Sequence, residues 1–163
     1  MAFTQVLPGF AATLYAQTGA TPTPITTANL ATYATVNALA VEAGQIPVES
    51  IPAFGWDDAV ASYAIAGSRT GDKIPVQSQP TSMTVTCAWN PSNTMIGLMK
   101  DDATSGKLDR TFLVKATDGT NSVIYAFNAR VGSFQIDSAP GAEAKAIFTI
   151  HPRGGQYGWS FSP

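Results

Sequence analysis

Residues 81–89, TSMTVTCAW, contain the clearest secondary-structure signal of the chain. Apolar and polar residues alternate along this stretch, which is the period of a β-strand with one buried face. The apolar residues Met83, Val85, Cys87 and Trp89 point to one side, and the polar residues Ser82, Thr84 and Thr86 point to the other. The stretch therefore predicts a strand in a sheet that has one face in the core.

A short helix is predicted directly after this strand, over about residues 92–104. The sequence Asn90-Pro91-Ser92 breaks the strand and offers an N-cap. Apolar residues then recur at helical spacing, as Met95, Ile96, Leu98 and Met99. The Ser105-Gly106 turn is the expected end. We thus expect one helix beside the sheet.

Three further strands are predicted on the C-terminal side. Residues 108–117 and 122–134 both alternate, and the DGTN sequence between them is a strong turn signal, so these two strands should form a hairpin. Residues 143–151 predict the last clear strand, which is expected to end at the PRGG sequence of residues 152–155. In the tail, residues 153–163, the aromatic side chains alternate as Tyr157, Trp159 and Phe161. We expect them to dock on a sheet edge of this chain or of a neighbour.

The N-terminal half is less uniform. Residues 9–17 and 59–66 predict strands, and residues 18–24 predict a turn-rich loop. Residues 26–43, within an N-terminal arm of about residues 1–45, fit either a helix or a strand. Residues 67–80, GSRTGDKIPVQSQP, predict a long polar loop or the tip of a projecting hairpin. The chain of 163 residues is therefore predicted to be one mostly β domain. We expect a β-sandwich or small barrel with one short flanking α-helix and a long inter-strand loop.

The composition indicates what kind of surface this domain has. Charged residues make up 12% of the chain, about half the usual share. Low charge suits faces that are covered by neighbouring subunits. The net charge of −2 and the lack of a Lys/Arg cluster argue against nucleic-acid binding. Neither a signal peptide nor a membrane-spanning stretch is expected.

The residues that usually carry chemistry are few. The only histidine, His151, falls on the outward phase of its strand, and the only cysteine, Cys87, falls on the apolar phase. A catalytic triad or a closed zinc site is therefore not expected. Three pairs of acidic residues could act as paired carboxylates, and we interpret them as solvated turn residues: Asp57 with Asp58, Asp101 with Asp102, and Asp137 near Glu143. We predict a non-enzymatic protein without catalytic, cofactor or metal sites.

Residues 82–155 resemble the tail tube (major tail) proteins of siphophages. The resemblance depends on the order of elements: a strand, a polar break and an amphipathic helix, then a hairpin strand of the form TFLVKATDGTN and a long strand of the form YAFNARVGSF. It implies subunits that form hexameric rings, which stack into a tube in the phage virion after synthesis in the host cytoplasm. DNA would pass through the tube without specific binding. The implied partners are other copies of the chain and the tape measure, terminator and baseplate proteins.

The polar segment before the first quoted strand is the predicted ring-to-ring contact, with the residues Arg69, Thr70, Asp72, Lys73 and Ile74. Other ring-forming proteins remain alternatives, namely a tail terminator, a baseplate hub or an injection-system tube protein. A carbohydrate-binding or adhesin module is a further alternative, which would use Trp56, Trp89, Tyr157 and Trp159 as a sugar platform.

Overall fold

The computed structural model describes residues 11–30, 32–64, 71–106, 108–117 and 121–161. Most of these residues lie in antiparallel strands, which are β1 (Ala11–Ala16), β2 (Gln45–Ile46), β3 (Trp56–Ala64), β4 (Gly71–Pro80), β5 (Met83–Ala88), β6 (Arg110–Thr117), β7 (Ser122–Asp137) and β8 (Lys145–Phe161). Six strands form a sheet in the order β2-β1-β6-β7-β8-β5 that curls into a half-barrel, and β3 and β4 form a second, two-stranded sheet. The predicted mostly β class is confirmed.

A short segment, residues 45–49, pairs with both β1 and β5. In β2, Ile46 pairs with Leu14 of β1, and two residues later Val48 forms a bridge with Cys87 of β5. The backbone N–H of Glu49 also donates to the carbonyl of Thr86 at 3.0 Å. Part of β1 and part of β5 are therefore covered by the same piece of chain, which reduces the length of exposed sheet edge.

The concave face of the sheet holds the main core. The residues Met83, Val85 and Cys87 of β5 are fully buried there, as the alternation predicted. The helix α3 (Thr94–Asp101) packs against them and continues into a π-helical turn at Asp102–Gly106. Its N-cap is Asn93, whose side chain accepts from the N–H groups of Met95 and Ile96 at 2.9 and 3.1 Å. The helix is confirmed, but its cap lies one residue after the predicted Asn90-Pro91-Ser92 break.

The convex face is covered by the N-terminal segment that the sequence left open. This segment forms two short helices, α1 (Thr27–Leu30) and α2 (Tyr33–Asn37), and a 3-10 turn at Glu42–Gly44. Leu30 and Val36 are fully buried against a second apolar cluster. The sheet contributes Leu113, Ile124 and Ala126 to that cluster. The open choice between helix and strand is thus decided for short helices, because β6 and β7 also have an apolar outer face that needs a cover.

Hydrogen bonds fasten this cover to the sheet. The hydroxyl of Thr111 donates to Oδ1 of Asn128 at 2.7 Å and accepts from the N–H of Ile25 at 3.2 Å. The side-chain amide of Asn128 donates to the carbonyl of Ile25 at 2.8 Å. Each buried polar group in this triangle thus has a partner, as low-dielectric surroundings require.

Two strand boundaries differ from the prediction. Residues 71–80 are the strand β4 rather than a loop, so the hairpin alternative was right for this part of the segment. The strand β8 does not end at residues 152–155, because β7 continues to offer it backbone partners as far as Val123. Pro152 is tolerated where the register shifts between Phe127 and Ala129, since a bulge leaves one N–H position unpaired.

Candidate subunit interface

The β3–β4 hairpin separates from the curled sheet. Its ladder runs from Trp56 opposite Pro80 to Ala64 opposite Gly71, which makes it roughly 30 Å long. Residues 56–62 are all exposed, although they alternate in direction along β3. Both faces of this part of the hairpin are therefore open to solvent, whereas the central strands of the large sheet are covered on both sides.

One face of the hairpin is notably apolar. Trp56 and Val60 point to the same side of β3 and are 47% and 53% exposed. Their cross-strand partners are Pro80 and Pro75. The same face contains Asp58, which accepts a hydrogen bond from the hydroxyl of its partner Ser78. Exposed aromatic and aliphatic side chains on one face are typical of a surface that binds another protein.

The predicted ring-to-ring residues lie at the distal part of this hairpin or beyond the described residues. Lys73 is exposed on β4 opposite Ser62, and the backbones of Asp72 and Ile74 pair with Tyr63 and Ala61. Arg69 and Thr70 lie outside the described residues.

The aromatic residues of the C-terminal tail lie on β8. The backbones of Tyr157, Trp159 and Phe161 pair with Phe127, Tyr125 and Val123 of β7 in the same chain. Docking of their side chains stays a prediction, because those side chains are outside what the structure describes.

A cleft of about 400 Å³ opens beside the first turn of α3. It is bounded by that turn, by the Thr18-Gly19 turn after β1 and by the 3-10 turn before β2. The lining residues are mostly small and uncharged: Thr18, Gly19, Glu42, Ala43, Gln45, Ser92, Asn93, Thr94, Met95 and Leu98. Glu42 is the one charged residue among them. Sequence reasoning missed this site because its three walls are distant in the chain.

A buried ion pair supports one wall of the cleft. The guanidinium of Arg110 donates to both carboxylate oxygens of Asp102, at 2.8 and 3.2 Å. It also donates to the carbonyls of Gln17 and Gly19. Arg110 is 0% exposed and Asp102 is 3% exposed, so the interpretation of Asp102 as a solvated turn residue was wrong. The pair holds the π-helical turn, β6 and the Thr18-Gly19 turn together.

A second charged cluster lies at the surface, beside the large sheet, and its side chains are partly exposed. Arg130 and Arg153 both donate to the carboxylate of Asp109. Partial burial alone would raise the pKa of Asp109, but the hydrogen bonds and charges of the two arginines outweigh it and hold this pKa below its ordinary value. The three side chains remain partly exposed, so their attraction is screened by solvent.

The single histidine and the single cysteine both make contacts within the fold that do not indicate a reactive site. Nδ1 of His151 lies 2.9 Å from the hydroxyl of Ser82, and the ring covers Gly132 so closely that a Cβ there would come within 2.2 Å of Nε2. Burial, with the charge of Glu49 nearby, raises the pKa of the Cys87 thiol to about 11. A thiol of that pKa is a poor nucleophile at neutral pH.

The described residues contain neither a group of metal ligands nor a membrane-spanning helix. Within them, no three His, Cys, Asp or Glu side chains are grouped as metal ligands. Among the helices of that same part of the chain, none has the length and apolar character to cross a bilayer.

Trp56 lies on the small sheet, whereas Trp89 is half-buried and packs edge-on against Phe134 at 5.9 Å. These two tryptophans do not form a common sugar platform.

Several solved structures share the architecture over almost the whole chain. A chain from the cryo-EM structure of an extracellular contractile injection system, described as the PVC sheath/tube terminator in extended state, aligns with a TM-score of 0.63 at 14% identity, covering 97% of this chain and 99% of its own. This chain has the fold of injection-system tail proteins. A PVC sheath-tube complex in the extended state gives a TM-score of 0.60 at 15% identity and covers 96% of this chain and 93% of its own.

The anti-feeding prophage provides a further match. Its tube-terminating cap aligns with a TM-score of 0.59 at 13% identity, covering 99% of this chain and 94% of its own. No protein-family model and no curated protein matches the sequence. The predicted resemblance to tail proteins is therefore supported at the level of fold. None of these three descriptions names a siphophage tube, so the narrower resemblance to siphophage tubes stays a prediction.

Proposed function

We propose that this protein is a non-enzymatic structural subunit that assembles with copies of itself into stacked hexameric rings, the tube of a phage-type tail. The observation that carries the proposal is the β3–β4 hairpin, which is exposed on both faces along residues 56–62. A two-stranded hairpin without a covered face is marginal in water. A neighbouring subunit would supply that cover and gain binding energy from Trp56 and Val60.

The fold supports the same function. The tail proteins named above are parts of assembled tubes, sheaths and caps, and this chain matches them almost from end to end. The low charge of the chain suits a lumen that must let DNA or another cargo pass without binding it. Among tail types, the order of elements in residues 82–155 favours the tail tube of a long-tailed bacteriophage, located in the virion and in contact with the tape measure, terminator and baseplate proteins.

We assign the ring-to-ring contact to Asp72, Lys73 and Ile74 of the distal hairpin and to Arg69 and Thr70, which precede them in the sequence. Deleting residues 70–76 removes this contact while leaving the six-stranded sheet and its two apolar clusters intact. We expect the deletion variant to be folded and soluble but unable to form tubes. Negative-stain microscopy of the wild type and the variant at high concentration tests this, and tubes of normal length from the variant would refute the assignment.

A tail terminator is the second candidate. Two of the matched structures are described as a terminator and a terminating cap. A terminator stops at one ring, whereas a tube subunit polymerises. The same micrographs of the wild-type protein separate the two functions, because single rings at every concentration would favour the terminator and would exclude self-polymerisation.

A further inference from the structure

The hairpin and the cleft lie beyond opposite ends of the same strand. The hairpin precedes β5, from which it is separated by two residues, and α3 with the cleft follows β5. Since β5 has six residues, its ends are about 20 Å apart. A projection near one end and a recess near the other form a heterologous pair of surfaces. Such a pair generates open, repeating assemblies when the rotation between copies does not close.

The distal hairpin and the cleft each carry an exposed charged side chain, and these two charges are opposite in sign. Glu42 is the only charged residue in the cleft lining, and it is exposed. Lys73 is exposed on the apolar face of the hairpin, where it lies opposite Ser62. In the described part of the chain, neither residue has an ion-pair partner. Lys73 and Glu42 are thus exposed charges of opposite sign, and the exposed acids Asp57 and Asp58 lie nearer the base of the hairpin.

Both surfaces also have apolar parts. Next to Lys73, the hairpin presents Val60 opposite Pro75. The cleft has Met95 and the half-buried Leu98 in its wall, between small polar residues. Its volume of about 400 Å³ accommodates a few side chains of this size, in the range of sites that bury ligands.

From these observations we propose that the hairpin of one copy docks into the cleft of the next copy, with Lys73 facing Glu42 and with Val60 and Pro75 against Leu98. The contact rests on the proposed self-assembly and specifies which surface receives the hairpin. It makes the cleft a binding site for a second copy of this chain. Because the interface is heterologous, every copy uses its hairpin on one side and its cleft on the other.

Charge reversal tests the contact. The variants Lys73→Glu and Glu42→Lys each place like charges opposite each other, which should raise the protein concentration needed for tube growth by on the order of tenfold or more. Mixing the two variants in equal amounts should restore growth, because each hairpin then finds a cleft of opposite charge on the other variant. The double variant should also assemble alone. Sedimentation velocity and negative-stain microscopy measure these outcomes, with melting curves as the control for folding.

The comparison with neutral variants separates repulsion from misfolding. Lys73→Gln and Glu42→Gln should cause smaller increases in the required concentration than the reversals, and Lys100→Glu, which changes an exposed lysine outside the cleft, should cause none. Tubes from Lys73→Glu at the wild-type concentration, or a mixture that fails while the double variant succeeds, would overturn the contact but leave tube formation intact. Absence of any assembly from the wild type would overturn both.

Discussion

The two sheets of this protein differ in how much of their surface the chain itself covers. The six-stranded sheet has an apolar cluster on each face, one beneath α3 and one beneath α1 and α2. The β3–β4 hairpin is exposed on both faces along residues 56–62. Burial of apolar surface supplies most of the folding free energy. The large sheet therefore accounts for the stability of the subunit, and the hairpin is available for binding.

The largest effect that should separate the two sheets is a core truncation. Phe148 is fully buried and stacks on Phe134 at 6.4 Å, so Phe148→Ala should lower the free energy of unfolding by about 3–5 kcal/mol. Val60→Ala in the hairpin should change it by less than about 0.5 kcal/mol while weakening assembly. Urea unfolding of dilute subunits measures both. An equal loss from the two substitutions would show that the hairpin contributes to subunit stability.

A slightly smaller effect is expected at the buried ion pair behind the cleft. Arg110→Ala leaves the buried carboxylate of Asp102 without a cation and the carbonyls of Gln17 and Gly19 without a donor. It should lower the free energy of unfolding by roughly 3 kcal/mol. The matched variant Arg130→Ala removes an exposed arginine and should cost less than about 1 kcal/mol. Similar losses in thermal or urea unfolding would show that the buried pair is not a special support of the cleft.

The sequence predicted the curled sheet better than it predicted its surroundings. The strand at residues 81–89 and the helix after it follow local periodicity, so Met83, Val85 and Met99 could be assigned to the core. The short helices of the N-terminal arm could not, since their formation depends on the apolar outer face of β6 and β7, which is distant in sequence. Propensity alone rarely decides such a segment.

The candidate interface was predictable only in part. Residues 67–80 stood out because a long polar stretch inside a compact domain is unusual, and Lys73 was identified there. The apolar face with Trp56 and Val60 has the alternation of a strand, but alternation does not tell whether a face is buried or open. Glu42 has no local signal at all, because its role depends on three segments that meet only in the fold.

The cover of the convex face provides a prediction of intermediate size. Thr111→Val removes the hydroxyl that joins Ile25 to Asn128 and leaves two buried polar groups without this partner, which should cost about 1–3 kcal/mol. The exposed Thr84→Val on β5 is the control and should be nearly neutral. Hydrogen exchange should increase first in residues 25–37, where the cover would detach. Uniform exchange changes would instead indicate that arm and sheet unfold as one unit.

The smallest expected effect concerns the exposed charged cluster of Asp109, Arg130 and Arg153. Because the pKa of Asp109 lies below its ordinary value in the folded state, the carboxylate stabilises the fold at pH values above that ordinary value. The contribution is lost as the pH falls through the lowered pKa.

Wild type should thus exceed Asp109→Asn in unfolding free energy by about 1 kcal/mol or less near pH 6, and the gap should close as the pH falls through the lowered pKa of Asp109. Urea titrations at several pH values measure it. A gap that persists in acid would mean that Asp109 acts through packing rather than charge. The cluster would then stabilise the fold in the same way as the buried residues of the large sheet.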